Sequence, residues 1–218
     1  RTRGMFEQFM APQVVDRLLD GRLKPSPESH RQKVTVLMAD MRRSTELVLY
    51  LDTEEMVRLL NDYFARATDI VFSYEGTVDK FLGDGVMAVF GVPVTHGEGE
   101  LDDVTRAVQA ALEMQAVFTD LLVSWEKRLG HALDTGLGIS VCTGIAVAGN
   151  VGSAKRIEHT VIGPVVNLAS RLSKLAAGGQ TLIDEETFRR MSLSIPAEPL
   201  EPVVVKGFSQ PVPIYRLA

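Results

Sequence analysis

One stretch decides the fold: Gly76-Thr-Val-Asp-Lys-Phe-Leu-Gly-Asp-Gly-Val-Met-Ala-Val-Phe90. Its first and last parts carry the β-branched and aromatic residues that favour strands. Between them, Gly83-Asp84-Gly85 is typical of a tight turn, because glycine reaches the backbone conformations that such turns require. The stretch therefore predicts a β-hairpin.

The flanking sequence places this hairpin in a β-α-β-β-α-β order. Six apolar or β-branched residues before Asp40 predict a buried strand over residues 33–39. Apolar residues at helical spacing predict helices over 54–74 and 101–129, and residues 137–147 predict another strand. This order is that of a ferredoxin-like unit. Further elements are predicted at 159–162 (strand), 164–176 (helix), 181–183 (strand), after Asp184 (short helix), and near Val203 and Ile214 (strands). We expect an α+β fold with a ferredoxin-like βαββαβ core and additional C-terminal strands and helices.

The first thirty residues predict a separate element. Apolar spacing over residues 6–21 favours a helix, and residues 24–30 are rich in proline and serine, as loops are. We therefore divide the chain into a connector helix and linker over residues 1–30 and a catalytic domain over residues 31–218. The first segment could equally be a frayed terminal helix. The chain begins with Arg1 and not with Met, which suggests that an upstream regulatory domain is missing.

Composition excludes several classes of protein. The net charge of −5 over 218 residues argues against a nucleic-acid-binding surface, which is usually basic. The single cysteine excludes an intrachain disulfide, and the apolar runs are much shorter than the ~20 residues that span a membrane. We expect a cytoplasmic domain with no membrane segment of its own, whose parent protein could still be membrane-anchored.

Two aspartates are the first candidate site residues. Asp40 ends the first predicted strand and Asp84 lies in the hairpin turn. In the predicted topology the first and third strands are antiparallel neighbours, so both carboxylates would lie at one rim of the sheet. A pair of carboxylates suits a divalent cation, although Asp84 could instead be a simple turn residue and Asp40 a helix cap.

The residues after Asp40 suggest a place for phosphate groups. Ser44 or Thr45 could cap the next helix, whose free N–H groups would face the same rim. Arg42 and Arg43 could add positive charge there or lie solvated at the surface.

Five segments in order resemble the class III adenylyl and guanylyl cyclase catalytic domain. They are Ala39-Asp-Met-Arg-Arg-Ser-Thr45, Asp79-Lys-Phe-Leu-Gly-Asp-Gly-Val-Met-Ala-Val-Phe-Gly91, Gly149-Asn-Val-Gly-Ser153, Val161-Ile-Gly-Pro-Val-Val-Asn-Leu-Ala-Ser-Arg-Leu172 and Val205-Lys-Gly207. The resemblance covers nearly everything from residue 32 to the end, and it implies the class III cyclase fold.

The resemblance also implies roles for particular residues. Two divalent ions, Mg²⁺ or Mn²⁺, would be held by metal ligands at three positions: Asp40, Met41 (through its backbone carbonyl) and Asp84. Catalytic residues would assist the transition state at Asn167, near the ribose, and Arg171, on the α-phosphate. Substrate-binding residues would be Lys80 and Thr160 at the base, Lys206 at the terminal phosphates, and Arg43, Ser44 and Thr45 in the phosphate loop. That loop usually contains Gly-Phe-Thr where this chain has Arg43-Ser44-Thr45.

The implied reaction converts ATP to 3′,5′-cyclic AMP and diphosphate, by two-metal-assisted in-line attack of the ribose 3′-hydroxyl on the α-phosphate. Lys80 is a pure donor and suits adenine N1, while the Thr160 hydroxyl can accept a hydrogen bond from the adenine amino group. Thr160 stands where many members carry aspartate, which resembles the class IIIb subgroup, some of whose members respond to bicarbonate.

The resemblance further implies a homodimer with shared active sites, in which each site combines metal ligands from one chain with base and transition-state residues from the other. Three alternatives remain: a guanylyl cyclase, a catalytically degenerate module that binds a nucleotide or a partner, and a diguanylate cyclase. The last normally carries Gly-Gly-(Asp/Glu)-Glu-Phe where this chain has Gly-Asp-Gly.

Overall fold

The structure is a computed structural model of the chain. It describes residues 15–16, 19–20, 29–92, 102–153, 156–192 and 194–217. Most of the predicted connector helix and linker over residues 1–30 lies outside the described residues, so this division of the chain stays a prediction. Among the residues that the structure describes, none of the helices has the combination of length and hydrophobicity that a membrane span requires.

The described part of the chain is built on one mixed sheet of eight strands, and it confirms the predicted α+β fold. The strands are β1 (His30–Met41), β2 (Thr77–Leu82), β3 (Gly85–Phe90), β4 (Leu137–Ser153), β5 (Arg156–Ile162), β6 (Gln180–Asp184), β7 (Ala197–Val203) and β8 (Val212–Leu217). Their order is β2-β3-β1-β4-β6-β8-β7, with β5 paired to β4. The ferredoxin-like core is the part β2-β3-β1-β4, as the sequence predicts.

Helices pack on both faces of this sheet. They are α1 (Ser44–Leu47), α2 (Thr53–Ser73), α3 (Asp103–Leu129), α4 (Pro164–Leu175) and α5 (Glu185–Arg190). The helices α2, α3 and α5 begin at aspartates whose side chains accept a backbone N–H one turn later, which satisfies a donor that the helix leaves free. At the first position of α4, Pro164 leaves no free backbone N–H, because proline has none.

Strand β1 lies between two separate hydrophobic cores. Leu37, Ala39 and Met41 face the core beneath α2 and α3, while the alternate residues, such as Val36 and Met38, face the core beneath α4. Because successive side chains of a strand point to opposite faces, a strand covered on both sides must be apolar throughout. This explains the unbroken apolar run that precedes Asp40 in the sequence.

The strands β1 and β3 are antiparallel neighbours, which confirms the topology expected for the two aspartates. Their register runs from Thr35 opposite Phe90 to Asp40 opposite Gly85. The carboxyl end of β1 therefore lies beside the beginning of β3.

Candidate functional site

Two acidic residues meet at this edge of the sheet. Asp40 is opposite Gly85 in the register, and Asp84 immediately precedes Gly85 in the turn. A Cβ atom on Gly85 would lie 3.2 Å from Asp40 Oδ1 and 3.0 Å from the carbonyl oxygen of Ala39. The glycine therefore leaves the space in which the Asp40 carboxylate lies. The predicted meeting of the two strand ends is confirmed, while a metal-binding role stays a prediction.

A buried tyrosine lies near both carboxylates. Tyr63 on α2 is 2% exposed, and its ring packs edge-on against Phe118 with centroids 5.3 Å apart. Burial raises the pKa of Tyr63, and the charges of Asp40 and Asp84 raise it further. Among the described residues, Tyr63 Oη has no hydrogen-bond partner. The acidic edge thus has a neutral phenol beside it, which the sequence pattern does not distinguish from an ordinary core residue.

The acidic pair fits a hard divalent cation that takes further ligands from a substrate. Mg²⁺ is commonly held by one or two carboxylates together with phosphate oxygens. No group of three or more histidine, cysteine, aspartate or glutamate side chains in the described ranges is arranged to hold a metal. Met41, the third predicted ligand position, is buried and pairs with Leu137 in β4. The described protein atoms alone therefore offer an open edge and not a closed metal cage.

Arg42 connects the acidic edge to the C-terminal end of α4. Its Nη1 donates to Asp40 Oδ2 at 2.6 Å, its Nε donates to the carbonyl oxygen of Ala176 at 2.8 Å, and its Nη2 donates to the carbonyl oxygen of Ser173. Only 21% of the side chain is exposed. Arg42 is therefore a structural link between a candidate metal ligand and two helix-end carbonyls, and not the solvated surface arginine that was one of the two expectations.

The predicted phosphate loop differs from the expected capping arrangement. The N-cap residue of α1 is Arg43, with no side-chain cap, so the expectation that Ser44 or Thr45 caps the helix is wrong. Arg43 has a φ of 54°, in the left-handed region that favours glycine, which is the residue the resembled family usually carries here. Its guanidinium pairs with the exposed Asp134. Ser44 is partly buried and Thr45 is exposed.

A second region, on the face of the sheet that α4 covers, brings three predicted residues together. Lys80, Thr160 and Asn167 line one open cavity of about 390 Å³, together with apolar side chains such as Met38 and Met87. Neither Asp40 nor Asp84 lines this cavity. Within one chain, the residues predicted to bind the base and the ribose therefore line a different surface from the predicted metal ligands.

Two predicted residues lie outside both groups. Arg171 is one turn beyond Asn167 on α4 and is exposed, and Lys206 is exposed in the connection between β7 and β8. Neither side chain lines the cavity. Both are placed where a molecule outside this chain could contact them.

Sequence reasoning missed Asp79, the residue beside Lys80. Thr160 Oγ1 donates a hydrogen bond to Asp79 Oδ2 at 2.9 Å, and Lys80 Nζ lies 3.5 Å from the same oxygen. The Asp79 side chain is only 5% exposed. An acidic residue next to a predicted substrate-binding lysine was the available signal.

Comparisons with known proteins agree with this geometry. Residues 27–218 match the family described as the adenylate and guanylate cyclase catalytic domain. The structure is similar to that of the adenylyl cyclase CyaB from P. aeruginosa, with a TM-score of 0.83 and 37% identity over 88% of this chain and 96% of that one. It is also similar to the guanylyl cyclase Cya2, with a TM-score of 0.77 and 33% identity over 87% of this chain and 93% of that one.

Curated relatives extend beyond this chain. An uncharacterised protein of Mycobacterium tuberculosis is 34% identical over 97% of this chain but only 35% of its own length. The terminal-differentiation-specific adenylate cyclase of Dictyostelium discoideum is 30% identical over 97% of this chain and 10% of its own length. The chain therefore spans about a third or less of these relatives. By its family match and its structure, the chain belongs to the class III adenylyl and guanylyl cyclase catalytic domains.

Proposed function

We propose that this cyclase domain converts ATP to 3′,5′-cyclic AMP and diphosphate in a homodimer. The observation that carries the proposal is the cavity that holds Lys80, Thr160 and Asn167 together. Its polar residues are few and its remaining walls are largely apolar, which is the usual composition of a site for a flat aromatic base.

Hydrogen-bond polarity favours adenine over guanine in this cavity. The Lys80 ammonium can only donate, and adenine N1 is an acceptor, whereas guanine N1 carries a proton. The Thr160 hydroxyl can accept from the adenine amino group, whereas guanine presents a carbonyl oxygen at that position. A wrong base would leave buried polar groups unpaired, which is a strong basis for discrimination.

The chain's residues divide the chemistry between them. Asp40, Met41 and Asp84 would hold two divalent ions, Mg²⁺ or Mn²⁺, which when bound acidify the ribose 3′-hydroxyl and neutralise the phosphates. Asn167 would orient the ribose, and Arg171 would donate to the α-phosphate oxygens. The 3′-oxygen then bonds to the α-phosphorus as its proton passes to solvent water, and the bond from the α-phosphorus to the bridging oxygen breaks to release diphosphate.

A head-to-tail dimer would complete each site. The acidic edge and the cavity are separate within one chain, and Arg171 and Lys206 are exposed. In a two-fold dimer the cavity and exposed cations of one chain would meet the acidic edge of the other, giving two equivalent sites. Lys206 would then contact the terminal phosphates together with Arg43, Ser44 and Thr45. A monomer would be inactive even when folded.

The first test is product analysis at two protein concentrations, with ATP or GTP and with Mg²⁺ or Mn²⁺. We expect cyclic AMP from ATP, with a rate that rises more than linearly with protein concentration. Cyclic GMP as the main product would refute the base selection and leave the fold assignment standing. No cyclic product from protein shown to be dimeric would favour a regulatory module that binds nucleotide without turnover.

Complementation tests the shared sites directly. Asp84→Asn and Asn167→Ala should each be inactive, but a mixed dimer contains one intact site and one doubly defective site. An equimolar mixture that exchanges freely should therefore recover about a quarter of the wild-type rate per chain. Failure to recover activity after verified subunit exchange would contradict the shared-site arrangement.

Thr160 also carries an expectation about regulation. Because threonine at this position resembles the bicarbonate-responsive subgroup, we propose that bicarbonate raises the rate. Replacing chloride by bicarbonate at fixed pH and ionic strength tests this, and an unchanged rate would refute it.

A further inference from the structure

Asp79 occupies an irregular position in β2. In the register of β2 with β3, Val78 is opposite Ala88 and Lys80 is opposite Met87, so Asp79 is an extra residue on the β2 side. Neighbouring side chains of a regular strand point to opposite faces, but a β-bulge interrupts this alternation and redirects a side chain. The bulge explains how the side chains of Asp79 and Lys80, which are adjacent in sequence, approach each other. Asp79 itself does not line the cavity, but it contacts two residues that do, Lys80 and Thr160.

The contacts of Asp79 fix the direction of one hydrogen bond. An ionised carboxylate accepts hydrogen bonds and cannot donate them, so the proton between Asp79 Oδ2 and Thr160 Oγ1 belongs to the threonine. A hydroxyl group has only one proton. With that proton directed at Asp79, Thr160 can offer only lone pairs to a ligand in the cavity.

The same carboxylate balances the charge of Lys80. The ammonium lies 3.5 Å from Asp79 Oδ2, and one third of the Lys80 side chain is exposed. The lysine ammonium has donors and no acceptor. Asp79 thus sets Thr160 as an acceptor beside the Lys80 donor.

We propose that Asp79 is the positioning residue that determines base specificity, by holding Thr160 as a hydrogen-bond acceptor beside the Lys80 donor. This inference rests on the proposed function, since it assumes that the cavity holds the base. The resulting pattern matches adenine, which donates from its amino group and accepts at N1. Guanine would direct its carbonyl oxygen at the Thr160 oxygen and its N1 proton at the Lys80 ammonium, so both contacts would be repulsive.

The test compares Asp79→Asn with wild type by the ratio of kcat/KM for ATP to kcat/KM for GTP. Asparagine has nearly the same shape but can also donate, so Thr160 could then accept from residue 79 and turn its proton toward the base. We expect the ATP-to-GTP ratio to fall about tenfold to a hundredfold, the effect of one hydrogen bond of reversed polarity. Asp79→Glu keeps an acceptor-only group and should retain more of the wild-type ratio.

A double-mutant cycle shows whether Asp79 acts through the hydroxyl. Thr160→Val removes that hydroxyl, and in this background Asp79→Asn should change the ratio by less than about twofold. The inference is wrong if Asp79→Asn lowers the rates with both nucleotides equally, or if it lowers the ratio as much without the hydroxyl as with it. If Asp79→Asn does not fold, Asp79→Gln replaces it and is compared with Asp79→Glu, because the longer amide can still reach the Thr160 hydroxyl and donate to it.

The outcomes separate this inference from the proposed function. Wild-type protein that makes cyclic GMP refutes the proposed base selection before Asp79 is considered. Wild-type protein that makes cyclic AMP, with an unchanged ratio in Asp79→Asn, refutes only the role of Asp79. Equilibrium binding of fluorescent ATP and GTP analogues gives a second readout that does not require turnover, and it should show the same change in ratio.

Discussion

Replacing Gly138 by alanine should break the contacts of Arg42. A Cβ atom on Gly138 would lie 2.5 Å from both Cζ and Nε of the Arg42 guanidinium. The strand has little freedom to move away, because Gly138 pairs with Asp40 on one side and with Gln180 on the other. The Arg42 side chain would therefore have to leave its place between Asp40 and the end of α4.

The cost follows from the three hydrogen bonds that Arg42 donates. Hydrogen bonds that involve a charged group contribute about 1.5–3 kcal/mol each when buried. Because the Arg42 and Asp40 side chains are 21% and 33% exposed, we take about 1 kcal/mol for each bond. Gly138→Ala should thus lower the free energy of unfolding by about 3 kcal/mol and the melting temperature by about 6–12 °C.

Urea denaturation of four proteins tests this reasoning: wild type, Gly138→Ala, Arg42→Ala and the double variant. Arg42→Ala should itself cost a similar amount. In its background Gly138→Ala should cost less than about 1 kcal/mol, because the clashing side chain is gone. If Gly138→Ala lowers the free energy of unfolding as much in the Arg42→Ala background as in wild type, the added Cβ clashes with a group other than Arg42. If Gly138→Ala alone lowers it by less than about 1 kcal/mol, the contacts of Arg42 contribute little to stability.

Three further predictions follow from buried positions. Gly76→Ala should lower the free energy of unfolding by about 1–3 kcal/mol in urea, because the added Cβ would lie 2.7 Å from Phe90 Cε1; an unchanged midpoint would contradict this. Burial raises the pKa of Asp184, so at pH values between the unfolded and folded pKa the folded protein binds a proton there that the unfolded chain has lost. Wild type should therefore lose stability relative to Asp184→Asn as the pH rises above about 4, and a constant difference between the two would refute this. Burial also raises the pKa of Cys142, and a disulfide reagent should label this thiol only at the rate of unfolding; rapid labelling of folded protein would show that Cys142 is accessible.

Local sequence patterns were sufficient for the core of the fold. The apolar run before Asp40, the turn at Gly83-Asp84-Gly85 and the helical spacing on either side each depend on residues near one another in the chain, and each led to an observed element. The full length of β4, from Leu137 to Ser153, exceeded the prediction of residues 137–147. Its extension pairs mainly with β5, from Val147 opposite Ile162 to Ser153 opposite Arg156, so this pairing is local and the prediction ended the strand too early.

The candidate site, unlike the core of the fold, depends on contacts between residues that are far apart in the chain. The predicted residues were found because their types and order resemble a known family, and the structure then grouped some of them. Asp79 was missed because its contact with Thr160 joins residues 81 positions apart, and the bond from Arg42 to Ala176 spans 134 positions. The expected helix caps at Ser44 and Thr45 failed because Arg43 turns the backbone through a left-handed conformation before α1.

The ion pair between Arg42 and Asp40 makes this arginine an internal competitor for any cation that binds Asp40. The cation must either share the Asp40 carboxylate with the Arg42 guanidinium or displace the guanidinium. Part of the free energy of cation binding is therefore offset by the weakened ion pair. Linkage makes the competition reciprocal. The factor by which a bound cation weakens the ion pair between Arg42 and Asp40 equals the factor by which that ion pair weakens cation binding. Because Arg42 also bonds the end of α4, the affinity of Asp40 for such a cation would be coupled to the helix that carries Asn167 and Arg171.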